Sequence, residues 1–202
     1  MNKGVDSQLA AQRALEDANL IFRRNRCDIR LAKLLPADLK WCIALQRSQP
    51  EAHQLPWSLC GHYCHDPHTF AFSFKMRCKE SRPAGACVSQ FCPASRHSPA
   101  MLNIEMLQNF HLTDSVLDGN TLRFALYAAV LFMDETECEG IRLISPLNRK
   151  VADYYISQFG FRETGSMDIL FRDAEGLYQW FLSEAEQVEV EQKPGDDGPV
   201  LE

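Results

Sequence analysis

The N-terminal part of the chain shows the hydrophobic spacing of a helix, a strand and a second helix. Residues 7–24 place apolar side chains, mostly alanine, every three or four positions behind Ser7, which predicts a helix capped by that serine. Because the stripe is mostly alanine, we expect this helix to pack on the domain or on a partner rather than form core. Residues 28–34 alternate as a strand does, and Pro36 opens a helix reading PADLKWCIALQ. Three of its side chains are expected to face inward: Leu39, Trp41 and Ile43.

The middle of the chain alternates apolar and polar residues in three neighbouring stretches. Residues 70–76 alternate phenylalanine or methionine with smaller or polar residues, and residues 84–92 and 101–110 follow after short polar turns. Strands joined by short turns pair with their neighbours, so this part predicts an antiparallel meander. Residues 48–68 are irregular, with a second short helix expected inside them.

The last part of the chain predicts a parallel crossover. Residues 122–133 carry apolar side chains on nearly every face, which is typical of a largely buried helix. A strand at 141–144, a helix at 148–158 and two short strands near 161–164 and 167–171 should follow. The fold class is therefore α/β (α+β), with a mixed sheet and flanking helices.

Charge is unevenly distributed along the chain. The formal net charge of the 202 residues is −6, and residues 184–202 contain seven acidic residues against one lysine, so the remainder is formally neutral. A neutral body has no global field that favours nucleic acid or an acidic membrane surface as a partner. We also find no apolar run of membrane-spanning length and no signal-peptide core, which predicts a cytoplasmic protein with a disordered acidic tail.

The eight cysteines are expected to be reduced thiols, since no secretion signal accompanies them. One cluster has side chains that can ligate zinc, but it lacks the paired Cys-x-x-Cys elements of a zinc finger. We therefore favour a polar loop with semi-buried thiols and predict no metal. The cluster consists of Cys60, His62, Cys64, His65 and His68.

The segment 101–161 combines a strand, a glycine-containing loop and a buried helix. Backbone N–H groups at such a helix N-terminus can hold an anion. Its motifs resemble those of the GNAT superfamily of N-acetyltransferases, and the resemblance covers residues 28–171. The pieces that carry it are the opening strand IRLAKLLPAD, the Ala-Gly-Ala hairpin end, the central strand IEMLQN from Ile104, the loop around Gly119, and Asn148 followed by Tyr154-Tyr155 and Phe159-Gly160-Phe161.

The resemblance implies a mostly antiparallel central sheet in which the central strand and the next, parallel strand splay apart, often through a bulge in the central strand. It implies an acetyltransferase domain at 27–182 between an N-terminal helical extension, 1–26, and the tail, 183–202. It also implies that acetyl-CoA pairs its pantetheine arm with the central strand and sets its pyrophosphate at the start of the buried helix. The cofactor-binding residues would be Leu107, Gln108, Asn109, Leu117, Asp118, Gly119, Asn120, Thr121 and Asn148.

The sequence departs from the family pattern at two places. The family loop reads Gln/Arg-x-x-Gly-x-Gly/Ala, whereas this chain has Val116 and Thr121 at the first and last of those positions. Asp114 and Asp118 also bring negative charge near a site for a dianion. The family tyrosine stands four residues before the glycine, but here that position is an isoleucine and the tyrosines stand five and six before it.

Acetyl transfer to an amine needs a base, a polarised carbonyl and an acid. Glu105 is the candidate base, acting through a water, and Tyr155 or Tyr154 is the candidate acid, with a backbone N–H near Leu107 at the developing oxyanion. On a regular strand Glu105 would share a face with Asn103, Leu107 and Asn109, opposite Leu102, Ile104 and Met106. The alternative is a structural glutamate paired with an arginine across the sheet. Direct transfer requires none of the cysteines.

The expected activity is acetyl-CoA-dependent N-acetylation of a primary amine of a small molecule, peptide or protein. The alternatives are a catalytically inactive CoA-binding or protein-interaction domain of the same fold and, more distantly, a metal-stabilised module. Partners would be acetyl-CoA and the amine acceptor, with no nucleic acid or membrane, and a homodimer stays open. Trp57, Tyr63 and the loop 53–68 would wall the acceptor site, and His97 and His111 are read as solvated loop residues.

Overall fold

A computed structural model describes residues 6–60, 69–78, 82–111, 116–165 and 168–191. Five α-helices, two short 3₁₀ helices and eight strands occur in these ranges. The helices are α1 (Ser7–Arg24), α2 (Pro36–Gln46), α3 (Thr121–Thr136), α4 (Arg149–Phe159) and α5 (Ala174–Glu191), with 3₁₀ turns at Glu51–His53 and Trp57–Leu59. The strands are β1 (Arg30–Lys33), β2 (Phe70–Ala71), β3 (Phe74–Arg77), β4 (Gly85–Cys92), β5 (Met101–Asn109), β6 (Gly140–Ile144), β7 (Arg162–Glu163) and β8 (Ile169–Asp173).

The eight described strands form one mixed sheet. Its order is β1-β3-β4-β5-β6-β8-β7, with β2 paired to the edge of β4 left by β3. The pairs are antiparallel except for β5 and β6, which run parallel across the helix α3. The predicted mixed, mostly antiparallel sheet with one parallel pair is confirmed.

Helix α1 belongs to the main hydrophobic core. Ala10, Ala14, Ala18 and Phe22 are buried, and Phe22 makes edge contacts with two aromatic rings of α3. The expectation that this helix stays outside the core is wrong, because small alanines let α1 approach α3 closely. Its cap also differs from the prediction: the Asp6 carboxylate accepts the first free N–H groups, and Ser7 is the first helical residue.

An aromatic cluster joins α3 to the sheet. The Phe132 ring stacks on Phe72, with centroids 4.4 Å apart, and lies near Phe70 at 6.1 Å and edge-on to Phe91 at 5.4 Å. Such ring pairs add to the free energy gained by burying their area. This cluster holds the crossover helix against β2, β4 and the bend between β2 and β3.

A smaller core lies under α2, formed by Cys42, Trp57, Cys60, Ala86, Val88, Met106 and Phe110. The buried residues of α2 are Asp38 and Cys42, one turn apart, whereas Trp41 is 50% exposed. The inward prediction for Trp41 is therefore wrong. Asp38 can take a buried place because its carboxylate binds the Lys75 ammonium at 2.6 Å and accepts the Leu35 N–H at 2.9 Å.

The C-terminal helix extends past residue 183, the predicted start of the tail. α5 continues to Glu191, and the Glu184 carboxylate forms an ion pair with Arg123 in the first turn of α3. Glu184 is thus part of the packed structure, and residues 192–202 lie outside the described residues. Among the described helices, we find none that has the length and hydropathy needed to cross a bilayer.

Candidate functional site

The parallel strands β5 and β6 separate halfway along β5. Their last paired residues are Ile104 and Leu143, yet β5 continues to Asn109. Residues 105–109 therefore lack a neighbouring strand on the β6 side within the described part of the chain. The predicted splay is present, and it opens a gap in the middle of the sheet.

A β-bulge at Glu105 marks the start of this gap. On the other side of β5, Val88 lies opposite Met106 and Ser89 lies opposite Ile104, so Glu105 is left without a partner in β4. As a result Ile104 packs in the main core and Met106 in the core under α2. The expectation that these two side chains share a face is wrong, because the extra residue switches the face between them.

Leu107 and Asn109 present their backbone groups to the gap. The Phe110 N–H donates to the Ala84 carbonyl at 2.9 Å, on the β4 side, and the direction of backbone groups alternates along a strand. The N–H and C=O groups of Leu107 and Asn109 must then point away from β4. This edge can accept a ligand that pairs as an added strand.

Gln108 is turned the other way. By the same alternation its backbone faces β4, and its buried side chain accepts a hydrogen bond from the Trp57 indole N–H and donates one to the His53 carbonyl at 3.0 Å. Both ends of the Gln108 side chain are thus engaged within the protein, and its role as a cofactor ligand stays a prediction. Gln108 fastens the segment after α2 to the central strand.

A cavity of about 470 Å³ occupies the gap. Its walls come from β5, from the end of β6, from the first turns of α4 and from the segment after α2. That segment contributes Gln49, His53 and Leu55 to the wall, whereas Trp57 is 1% exposed and belongs to the core. The prediction of Trp57 as an acceptor wall is wrong, and Tyr63 lies outside the described residues.

Glu105 lines this cavity as a half-buried carboxylate. Burial raises its pKa above the ordinary value of a glutamate, with no charged group contributing to the shift. No arginine or other residue in the described ranges forms an ion pair or hydrogen bond with its side chain. The structural glutamate–arginine pair considered from the sequence is therefore not present there.

The two tyrosines of α4 have different surroundings. Both line the cavity, but the Tyr154 hydroxyl donates to the Gly119 carbonyl at 2.6 Å. The Tyr155 hydroxyl makes no hydrogen bond with any described residue, and burial raises its pKa to about 12. Tyr155 is therefore protonated at neutral pH and free to donate, while the proton of Tyr154 is engaged.

No protein-family model matches the chain, and no curated protein sequence matches it. Solved structures do match. AtaTR bound with acetyl-CoA is 16% identical, with a TM-score of 0.53, over 76% of this chain and 98% of that one. AtaT complexed with acetyl-methionyl-tRNAfMet is 16% identical (TM-score 0.52; 76% and 99% covered), and Arabidopsis thaliana NAA60 in complex with acetyl-CoA is 10% identical (TM-score 0.50; 72% and 98% covered).

This is the GNAT acetyltransferase fold. The bulged β5, the parallel β6 and the gap between them are the elements that the resemblance in the sequence implied. At identities of 10–16%, the likeness to these structures rests on the shared geometry of the fold rather than on identical residues.

The loop that precedes α3 offers its backbone rather than its side chains. Leu117 is fully buried, the Thr121 hydroxyl donates to the Leu117 carbonyl at 2.8 Å, and the Asn120 amide bonds to carbonyls within the loop. Gly119 has φ +74°, and a Cβ placed there would meet nothing within 4 Å, so this turn is open to a ligand. Of the predicted phosphate ligands, Leu117 can contribute only its main chain.

Asp118 is held at the edge of the same loop. Its carboxylate accepts a hydrogen bond from the Asn109 amide at 2.7 Å and lies 3.2 Å from His111 Nδ1. This contact links the end of the central strand to the loop before α3. Asp114, the other acidic residue singled out from the sequence, lies outside the described residues.

Asn148 caps α4 and lines the cavity. Its side-chain oxygen accepts the Val151 N–H at 3.0 Å, so its amide N–H₂ is the group left for a ligand. Two other predictions concern histidines near the cavity. His97 is an exposed turn residue that does not line the cavity, whereas His111 does line it.

The cysteine and histidine cluster weighed as a zinc site falls almost entirely outside the described residues. Only Cys60 is described, and it is buried in the core under α2. Within the ranges described, no group of three histidine, cysteine or acidic side chains could hold a metal ion.

Proposed function

We propose that the protein is an acetyl-CoA-dependent N-acetyltransferase acting on a primary amine of a small molecule, peptide or protein. The observation that carries the proposal is the gap beside Glu105. A half-buried carboxylate, a free tyrosine hydroxyl and an unpaired strand edge meet at one cavity, and this combination suits acyl transfer between two substrates.

Acetyl-CoA fits the cavity by the chemistry of its walls. The free C=O of Leu107 and the free N–H and C=O of Asn109 can pair with the amides of a pantetheine arm, and the Asn148 amide lies across the gap. Bound there, the cofactor supplies an activated thioester. AtaTR and NAA60, which share the fold, have been solved with acetyl-CoA and support this choice.

The residues around the gap can divide the proton transfers between them. Glu105 takes a proton from the incoming ammonium group through a water, so that the amine nitrogen can attack the carbonyl carbon. As the C–N bond forms, the Leu107 N–H donates to the carbonyl oxygen on which charge builds. Tyr155 gives its proton to the sulfur as the C–S bond breaks, and the thiol leaves. The second proton of the amine nitrogen passes to water as the amide forms, and the Tyr155 phenolate regains a proton from solvent.

Saturating acetyl-CoA should raise the Tm of the protein. A ligand at about 100 times its Kd stabilises the folded state by about 2.7 kcal/mol, which for a chain of this size corresponds to a shift of about 5–10 °C. Differential scanning fluorimetry with acetyl-CoA, with NAD⁺ as the control ligand, measures the effect. An unchanged Tm at millimolar acetyl-CoA would contradict both acetyl transfer and CoA binding.

Tyr155→Phe should lower acetyl transfer about 100-fold, because phenylalanine keeps the packing and removes only the proton that the leaving thiolate needs. Tyr154→Phe is the matched control. It removes the hydrogen bond to Gly119 and should change the rate less than about tenfold. Release of CoA thiol is followed with a thiol reagent in the presence of a primary alkylamine, a short peptide or methionyl-tRNA as acceptor. The reverse order of the two effects would transfer the acid role to Tyr154.

A second candidate function is a catalytically inactive CoA-binding or interaction domain of the same fold. The observation in its favour is the loop before α3, where Val116 stands in place of the family's basic or amide residue and the Asp118 carboxylate adds a negative charge. This candidate predicts a Tm shift with acetyl-CoA but no thiol release with any acceptor.

A further inference from the structure

The loop that should receive the cofactor's phosphates carries no free cation. Residues 112–122 contain no lysine, arginine or histidine. His111 lies against Asp118, and Arg123, in the first turn of α3, is paired with Glu184 of α5. The negative charges of CoA all lie on its phosphate groups, so a chain that binds CoA must find its positive charge elsewhere.

Among the residues that the structure describes, Lys150 is the one lysine or arginine that lines the cavity. It is exposed in the first turn of α4, and its ammonium has no carboxylate partner among the residues described. Tyr154 is four residues further along α4 and lies on the same helix face as Lys150. The Tyr154 hydroxyl donates a hydrogen bond to the Gly119 carbonyl in the loop before α3. Lys150 therefore lies only about 6 Å along the helix axis from a contact with that loop, within reach of a lysine side chain.

The neighbouring Arg149 is directed elsewhere. Its guanidinium forms ion pairs of 2.7 Å with Asp153, in the next turn of α4, and of 2.7 Å with Glu163 on β7. The two adjacent cations at the start of α4 therefore have different surroundings. Arg149 is neutralised by carboxylates on the protein surface, whereas Lys150 lines the cavity.

We infer that Lys150 binds the phosphate groups of CoA and supplies the positive charge that the loop before α3 lacks. The inference rests on the proposed function, since it names a ligand for the cofactor proposed there. A lysine ammonium binds phosphate as a mobile point charge and needs no fixed geometry, so it can serve a loop whose own shape is set by Gly119 and the main chain. The positive charge that binds the phosphates would then come from the start of α4 rather than from the start of α3.

The test compares the acetyl-CoA affinity of four proteins by isothermal titration calorimetry: wild type, Lys150→Ala, Lys150→Arg and Arg149→Ala. We expect Lys150→Ala to weaken binding about tenfold at about 50 mM salt and much less at about 500 mM, since salt screens the lost attraction. Lys150→Arg keeps the charge and should bind as the wild type does. Arg149→Ala removes one positive charge from the same helix turn and should leave the Kd within about twofold.

The outcomes separate the inference from the function on which it rests. If the wild type binds acetyl-CoA and both Lys150→Ala and Arg149→Ala bind it with wild-type affinity, the role of Lys150 is overturned and the acetyltransferase proposal stands. Equal weakening by both alanine variants would show an unspecific charge effect and would also overturn it. If the wild type does not bind acetyl-CoA at all, the proposed function itself fails.

Discussion

Glu105→Gln should lower kcat/KM for acetyl transfer by at least about 100-fold and leave the Kd for acetyl-CoA unchanged. Glutamine keeps the size of the side chain and loses the ability to accept a proton from the ammonium group. The carboxylate has no other partner in the described structure, so no ion pair is broken by the change. Thiol release measures the rate, and calorimetry measures the affinity.

The pH dependence should distinguish a base from a merely structural glutamate. Burial raises the pKa of Glu105, so in the wild type the rate should fall with decreasing pH already above the ordinary range of a glutamate. This limb should be absent from the residual activity of Glu105→Gln. Glu139→Gln, which changes an exposed glutamate at the start of β6, should alter neither the rate nor the pH profile.

Stability should move in the opposite direction to activity. Because the folded-state pKa of Glu105 is raised, ionising this group costs stability above that pKa, and the cost disappears as pH falls below the unfolded value. Glutamine is neutral at every pH, so Glu105→Gln should have an equal or higher Tm at neutral pH. A variant that is inactive because it is unfolded would give a lower Tm and would not support the catalytic role.

Phe132→Ala should lower the free energy of unfolding by about 3–5 kcal/mol, the largest stability effect that we expect from one substitution. The ring is fully buried and contacts three other rings from three segments of the chain. Its removal leaves a cavity between α3 and the sheet that the surrounding aromatic side chains cannot fill. Urea unfolding followed by circular dichroism gives the value.

Two further variants bracket the Phe132 result. Phe132→Leu keeps most of the buried volume and should cost less than half as much. Leu182→Ala removes a side chain that is 55% exposed on α5 and should cost less than about 1 kcal/mol. If Phe132→Ala were no more destabilising than Leu182→Ala, the aromatic cluster would not be what holds α3 to the sheet.

The elements with strong periodicity could be predicted from the sequence alone. The bounds of α2 are those predicted from PADLKWCIALQ, and β5 and α3 lie within a few residues of their predicted positions. These elements have a clear apolar face, and the side chains that the spacing places on this face are the ones that the core buries. The predicted range of α1 is also correct. Its alanine stripe does not indicate that the helix belongs to the core, because its close approach to α3 depends on the residues of α3.

The position of the bulge, at Glu105, could not be seen in the sequence, although it shapes the candidate site. Burial still alternates along β5 from Leu102 to Gln108, so the pattern looks like that of a regular strand. Only the pairing with β4 reveals that one residue is inserted and that the inner face changes sides. The bonds of Gln108 to Trp57 and His53 and the pair of Arg123 with Glu184 were missed for a related reason. They join residues far apart in the chain, and no local spacing reports them.

The hydrogen bonds of Gln108 and Gln49 have a consequence for how new acceptors could be accommodated. Gln108 holds the His53 carbonyl, and the Gln49 amide donates to the Phe110 carbonyl at 3.0 Å, so one cavity wall is anchored to the strand that forms the opposite edge of the gap. The width of the opening is then fixed by the backbone of a single strand, to which this wall is hydrogen-bonded. Changes of acceptor preference should therefore arise from the size and charge of side chains such as His53 and Leu55, and only rarely from a longer or looser loop.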